Sequence, residues 1–384
     1  MIQKKGMNVM GYFSEYLSAG MDFAQLQKER RNVLALISEI RQRPVMVYAS
    51  DLEKNDHIKQ SDKLPFSEIL QSLSGSKMDI ILQTNGGDAT VVEDWVKSIR
   101  RRFTDVGVIV PHCAMSAGTI FAMAADEIIM GPESALGPID GQVRLRGNVI
   151  SAGAVIKGLE DIVHNLGKNA QLDLALLATL QSLSPGEVTH CLNAQNFSRN
   201  LVSDWLERYK FSKWTTHRST NAPVTKEERH AKAKEIAHAL CDQARWLTHS
   251  RSIHIEDLRN IGLMIEDYSQ DIRLNEAILR YNALLALSFL SPAIKIFESP
   301  AVNITLHAGP LPATNSPISP AIEKPNTIQF ECEHCHNRFD VDARLVLRQI
   351  EAMGGAIKDG FIGLPCPFCK KKTKIRINLE EKKG

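Results

Sequence analysis

The sequence predicts an α/β fold: a parallel sheet with covering helices, a helical extension, and a small cysteine-rich module at the end. Three observations carry that expectation. Between residues 44 and 130, short apolar runs alternate with helical segments, the pattern of a parallel sheet covered on both faces. Residues 168–290 then read as almost entirely helical. Two Cys-x-x-Cys pairs follow a proline-rich stretch near the end of the chain.

Residues 1–43 form a helical lead-in, strongest over Phe23–Ile40, where Leu26, Val33, Leu36, Ile37 and Ile40 recur at helical spacing. Pro44 stops that helix, and Val45–Ala49 is the first strand. Ser50–Lys63 is polar and is read as a solvated loop, with His57 in it as a minor candidate for a base. Phe66–Leu73 is helical, Met78–Gln83 a strand, Thr84–Asp88 a tight turn, and Val91–Arg102 an amphipathic helix. Val106–Val110 is a strand, Ser116–Ala125 a helix apolar on every side, and Glu127–Met130 a short strand. Crossovers between such strands are expected to be right-handed.

Length and composition bound the function. At 384 residues the chain has room for about two domains, and 43% hydrophobic with 23% charged residues is ordinary for a globular protein. A net charge of +2 gives no global electrostatic case for nucleic acid or an anionic membrane. Met1–Lys5 is not followed by an apolar h-region, and Ala283–Leu290, the most apolar late segment, is too short to span a bilayer. Cys113, Cys191 and Cys241 stand alone, as suits a reducing compartment, so a cytoplasmic protein without a transmembrane segment is expected.

Four features carry chemistry. Ser116 lies where a strand turns into the first turn of a buried helix, where free N–H groups favour negative charge; it is read either as a helix cap or as a nucleophile. Gly86-Gly87 follows a strand directly and lets backbone N–H groups approach a ligand, or is an ordinary βα turn. Met130–Asp140 is a Gly/Pro-punctuated loop ending in Asp140. Lys157 sits among apolar neighbours on the helix lined by Val155, Ile156, Leu159, Ile162, Val163 and Leu166. It is either solvated or, if desolvated and neutral, a general base.

Taken together, a strand ending in TNGG followed by VPHCAMSAGTIFAMAADEIIMGPESALGPID resembles the Clp protease and signal-peptide-peptidase-A superfamily on the crotonase-like fold. Its nearest branch is the serine dehydrogenase proteinase family, whose name does not imply dehydrogenase chemistry. Asn85 stands where that family has proline before the two glycines. The resemblance continues more weakly to about residue 265, through Trp246-Leu247-Thr248-His249 and Ile255–Leu258. It implies a serine peptidase acting on a peptide or protein substrate, with Ser116 as nucleophile and an oxyanion hole from Gly86, Gly87 and the N–H of Ala117. Preorganised donors of that kind are worth about 2.7–4 kcal/mol each. A histidine base soon after the nucleophile helix is absent, so the resemblance implies a Ser-Lys dyad with Lys157. Asp140 and His112 are candidates to line the site. A homo-oligomer built on the helices beyond residue 168 is also implied, against the alternative that those helices cap the sheet within one subunit. Acyl transfer on a small thioester is a further option of the fold, and the Ser116 elbow and the spacing of Lys157 count against it.

The expected domains are a peptidase domain over residues 44–298, a linker over 299–329 holding six prolines, and a module over 330–384. In that module Cys332 and Cys335 precede Cys366 and Cys369 by thirty intervening residues. Four thiolates close a tetrahedral site, so a structural zinc in a zinc-ribbon-like unit is predicted. Such a ribbon docks protein or nucleic acid, and the basic run Lys370–Arg376 is either a phosphate contact or a solvated strand edge. The rival to a peptidase is a catalytically inactive Clp-like scaffold that works through this ribbon.

Overall fold

In this computed structural model the described residues are 11–54, 56–145, 147–168, 183–217, 219–308, 327–342, 361–366, 368–369 and 371–376. The helix expected over Leu172–Leu183 lies outside them except for its last residue, as does the middle of the expected linker. Two compact units divide at Pro317.

The first unit is organised by a seven-stranded sheet. Strands β1 (Val45–Ser50), β2 (Lys77–Gln83), β3 (Asp105–Val110) and β5 (Glu127–Met130) match the sequence reading to within a residue or so at each end. With β9 (Glu266–Asp267) they run parallel in the order β1-β2-β3-β5-β9. Their interiors are buried on both faces, which is why they read as continuous apolar runs rather than alternating ones. Beyond β1 the sheet continues as an antiparallel pair, β10 (Ala293–Glu298) and β11 (Asn303–His307). The expected linker is therefore corrected at both ends: Asn303–His307 is a sheet strand, and Thr327–Glu331 is a strand of the second unit.

The lead-in is part of this unit. Helix α1 is Tyr12–Ser18 and α2 is Phe23–Arg41, the latter started by a reciprocal Asp22–Gln25 capping box. Leu26, Val33, Leu34 and Ile37 of α2 are buried, whereas Leu36, expected on the same face, is exposed. Arg30 is fully buried and pairs with Glu298 of β10 at 3.0 Å. It also donates to Ser288, while Tyr281 donates to Glu298 at 2.5 Å and Asn303 at 2.6 Å. Every charge is matched by donors or acceptors, the condition for burying an ion pair without a large penalty.

Helices α3 (Lys63–Gln71), α4 (Ala89–Arg100) and α5 (Ala117–Ala122) sit among the strands they connect, and α5 is buried along its whole length. Phe121 of α5 meets Phe66 and Trp95 edge to face, and those two rings stack at 4.2 Å. That aromatic wedge fixes the short helix that follows Ser116. After a hairpin of β7 (Gln142–Leu145) and β8 (Asn148–Ser151) come α6 (Ala152–Lys168), α7 (Pro185–Trp205), α8 (Lys226–Leu240), α9 (Gln243–Trp246), α10 (Ile255–Asn260) and α11 (Ile272–Phe289). Among the described residues no helix is long and apolar enough to cross a membrane.

The second unit carries two antiparallel hairpins, β12 (Thr327–Glu331) with β13 (Arg338–Asp342) and β14 (Phe361–Pro365) with β15 (Lys372–Arg376). Each Cys-x-x-Cys pair occupies one hairpin turn. Most of the basic run Lys370–Arg376 falls in β15.

Candidate active site

Ser116 sits between β4 (Cys113–Ala114) and α5 with φ 49° and ψ −111°, a conformation that non-glycine residues avoid. Strain of that kind costs about 1–3 kcal/mol and is held only where the surroundings over-determine it. The surroundings here are specific. Met115 N–H donates to Thr84 O at 2.9 Å, Gly118 N–H to Met115 O at 2.8 Å and Ile120 N–H to Ser116 O at 3.0 Å. Buried Thr119 bonds Ala114 O at 2.8 Å and receives Gly137 N–H at 3.0 Å, tying the Leu136–Asp140 loop to the same helix. The Ser116 hydroxyl is not used as a cap. The cap reading of this serine is therefore not what the structure contains.

Gly86 and Gly87 have φ of +103° and +137°. A Cβ on Gly86 would stand 2.7 Å from Ser116 Cβ, and one on Gly87 would stand 2.4 Å from Ile58 O. Only glycine lets this turn lie against the serine. Gly86 N–H is taken by Thr84 Oγ1 at 3.0 Å. By contrast, the N–H groups of Gly87 and Ala117 have no acceptor among the described residues. Asn85 holds the turn by donating its amide to Leu52 O at 2.7 Å.

Ser50–Lys63 is more than a solvated loop. Ile58 receives Asp88 N–H at 2.9 Å and donates to Gly86 O at 2.7 Å, so it forms a short parallel bridge with the glycine turn. Asp62, fully buried, gathers Lys295 Nζ at 2.6 Å and the Tyr48 hydroxyl at 3.2 Å. Polar residues at these positions serve the interior, and their composition alone disguised it.

These segments enclose a cleft of about 710 Å³. Its wall includes Ser116, Ala117, Gly87, Asp140, His57 and His249, with Met115, Ile120 and Phe197 as apolar surface. Asp140 is 6% exposed and accepts Gly153 N–H at 3.3 Å. Lys157 is not among the cleft residues. It lies half exposed on α6, ion-paired with Asp161 at 2.7 Å, and that contact raises its pKa above the usual lysine value. The structure so gives the opposite of the desolvated, neutral amine that a lysine base requires. His112 is exposed and also outside the cleft, contributing only its carbonyl, which receives Ala135 N–H at 2.8 Å. His249 was not singled out from the sequence; the signal open to it was its place in the Trp246–His249 stretch.

In the second unit the four sulfurs of Cys332, Cys335, Cys366 and Cys369 lie within 4.8 Å of one another. Cys332 to Cys369 and Cys335 to Cys366 are each 3.7 Å. A tetrahedron of thiolates bound at ~2.3 Å has edges of about 3.8 Å, whereas a disulfide needs about 2.05 Å. The cluster can hold a metal ion. Burial pushes the Cys332 thiol up, but donors such as His334 N–H, 3.4 Å from its Sγ, outweigh that and hold it below the usual cysteine value.

Residues 16–180 match the family of ClpP-like SDH-type serine proteinases, so the match takes in the lead-in helix α2 as well as the strands, the glycine turn and Ser116. An uncharacterized protein of Methanocaldococcus jannaschii, MJ0137, is 26% identical over 265 residues, 66% of this chain and 79% of its own length. Among solved structures, a point mutant of the 1510-N membrane-bound stomatin-specific protease is 14% identical, covering 57% of this chain and 79% of its own, at a TM-score of 0.31. A probable enoyl-CoA hydratase/isomerase from Mycobacterium abscessus is 12% identical, covering 65% and 87%, at a TM-score of 0.28.

Proposed function

We infer that this chain, matched over residues 16–180 by the ClpP-like SDH-type serine proteinases, is a serine peptidase that cleaves peptide bonds through Ser116. The observation that carries the reading is the strained Ser116 backbone beside two N–H groups, of Gly87 and Ala117, that no acceptor among the described residues uses. In this reading Oγ attacks the scissile carbonyl, and the two N–H groups receive the oxyanion that forms. Gly86 contributes shape rather than a donor, since its N–H already serves Thr84. Lys157, the base implied by the family resemblance, would have to leave Asp161 and enter the cleft to act. A catalytically silent scaffold is the second reading, favoured by the Ser116 hydroxyl having no hydrogen-bond partner among the described residues.

A fluorophosphonate probe separates the two. Wild type should be labelled at one site and Ser116→Ala should not; an unlabelled wild type, or equal labelling of both, removes the peptidase reading.

The metal of the cysteine cluster is read as zinc with a purely structural role, because four thiolates leave no open coordination position. A protein or nucleic-acid partner for this unit is part of the same reading. A homo-oligomer is supported by exposed Phe13, Leu17, Ile272 and Leu279 on α1 and α11; sedimentation at monomer mass would remove it. Free cysteines throughout suit a reducing compartment such as the cytoplasm.

A further inference from the structure

The carbonyl of Gly86 and the N–H of Gly87 belong to one peptide group. No described peptide bond is cis, so the two point in opposite directions. Ile58 N–H takes the Gly86 carbonyl at 2.7 Å, which turns the Gly87 N–H the other way, and Gly87 lines the Ser116 cleft. Whatever fixes Ile58 therefore fixes this donor.

The two peptide groups that flank Ile58 are each bonded at both ends. In the first, Ile58 N–H reaches Gly86 O and the His57 carbonyl accepts Lys295 Nζ at 2.7 Å. In the second, the Ile58 carbonyl accepts Asp88 N–H at 2.9 Å and Lys59 N–H donates to Asp62 Oδ2 at 3.0 Å. One end of each group meets the glycine turn; the other meets Lys295 or Asp62. Those two form an ion pair at 2.6 Å with both side chains fully buried, and Asp56 lies 3.3 Å from the same amine.

Lys295 stands in β10 beside Ile296 and Phe297, which are fully buried. At such a place an uncharged chain of the same length would fill the space, and a buried ion pair seldom adds stability over apolar residues of equal volume. The bonding pattern gives the charge another use. It forms a series: an ammonium, the His57–Ile58 peptide, the Gly86–Gly87 peptide, and an N–H with no acceptor among the described residues. Groups hydrogen-bonded in series polarise one another, so a cation at one end strengthens the donor at the other as well as aligning it.

We propose that Lys295 is a positioning residue of the oxyanion hole, setting and polarising the Gly87 N–H through His57 and Ile58. This rests on the reading of Ser116 as nucleophile and of Gly87 as an oxyanion donor, and Lys295 lies beyond the residues the family match covers. Without the ammonium the His57 carbonyl loses its partner and Ile58 loses half of its anchorage. The Gly86–Gly87 peptide can then rotate and present its carbonyl to the cleft, an acceptor where the oxyanion needs a donor.

The test is fluorophosphonate labelling of the full chain, with maximal rate and apparent binding constant measured separately and thermal denaturation run beside them. Lys295→Met should lower the maximal rate by at least about tenfold, towards the roughly hundredfold or greater cost of losing an oxyanion donor, and leave the binding constant unchanged. That variant strands a buried Asp62 charge and loses stability as well. Lys295→Met combined with Asp62→Asn removes both charges and keeps an acceptor for Lys59 N–H and the Tyr48 hydroxyl. It should melt closer to wild type than Lys295→Met alone and label no faster. Labelling of Lys295→Met at the wild-type maximal rate overturns the assignment. So does a combined variant whose rate recovers along with its melting temperature, because the loss was then one of folding. These failures are distinct from failure of the peptidase reading, in which wild type is not labelled or Ser116→Ala is labelled equally.

Discussion

At Gly86 the room for a side chain is set by Ser116 itself. A Cβ there would meet the Ser116 Cβ at 2.7 Å and Met115 O at 2.8 Å, and φ is +103°. Gly86→Ala is therefore expected to lower stability by about 1–3 kcal/mol and to abolish fluorophosphonate labelling, since the backbone that must yield carries the nucleophile. A variant that melts like wild type and labels normally would show that the turn does not define the site. Much of this geometry was open to sequence reasoning, because Gly86-Gly87, Ser116 and Asp140 each sit where an element ends and the chain is locally constrained. His249 was not open to it. A histidine in a polar turn has no periodicity or special dihedral to announce it, and its place in the cleft wall is set by the fold. Of the two readings the sequence left open for Lys157, the structure has the solvated one: its apolar sequence neighbours point to a different face of the helix from the one Lys157 and Asp161 share.

Among the elements, the end of α7 runs into a five-residue π-helical turn, Leu206–Lys210, which carries Lys210 toward Asp126 O at 3.5 Å. Burial lowers the Lys210 pKa from 10.5 to about 8, against the pull of Glu266, Glu127 and Asp126. Because the folded value lies below the unfolded one, the charged amine opposes folding below pH 8, and that penalty fades as pH rises from 8 towards 10.5. Lys210→Met should accordingly be more stable than wild type at pH 7, by about 1–3 kcal/mol, with the gap closing near pH 10. Equal gaps at both pH values in chemical denaturation would contradict the assignment. The buried Arg30–Glu298 pair behaves differently: Arg30→Met leaves Glu298 charged and under-partnered, so a loss of about 3–5 kcal/mol is expected. Buried polar groups also explain what the sequence hid among elements. Lys295 and Glu298 made Ala293–Glu298 look unlike an interior strand, although each is matched in the fold, Lys295 by Asp62 and Glu298 by Arg30. The parallel strands β1, β2, β3 and β5, with no charge in their buried centres apart from Asp79, were legible almost residue for residue, whereas the two-residue β9, Glu266–Asp267, was hidden in a stretch read as helical.

For the molecule as a whole, the two units are held by different physics. The first buries a continuous apolar core around its sheet, whereas the buried cluster described in the second is made of the four cysteines. Small units of that kind depend on metal for their fold. If the cluster holds zinc as proposed, replacing Cys332 and Cys335 by serine should lower the zinc content towards zero and unfold the β12–β13 and β14–β15 hairpins, leaving Ser116 labelling unchanged; retained zinc would remove the site. The sequence announced this module outright, because ligand spacing is itself the signal.

The closure of the sheet has a consequence for synthesis. Arg30 meets Glu298 across 268 residues, and β10 covers the β1 edge. A chain emerging from the ribosome thus displays α2 and β1 long before their partners exist. Until Glu298 is made, a charged helix face and an open strand edge are exposed, so this domain completes its fold only once β10 and β11 have emerged. Nascent chains stalled before β10 should be protease-sensitive and chaperone-bound, and those stalled beyond β11 resistant.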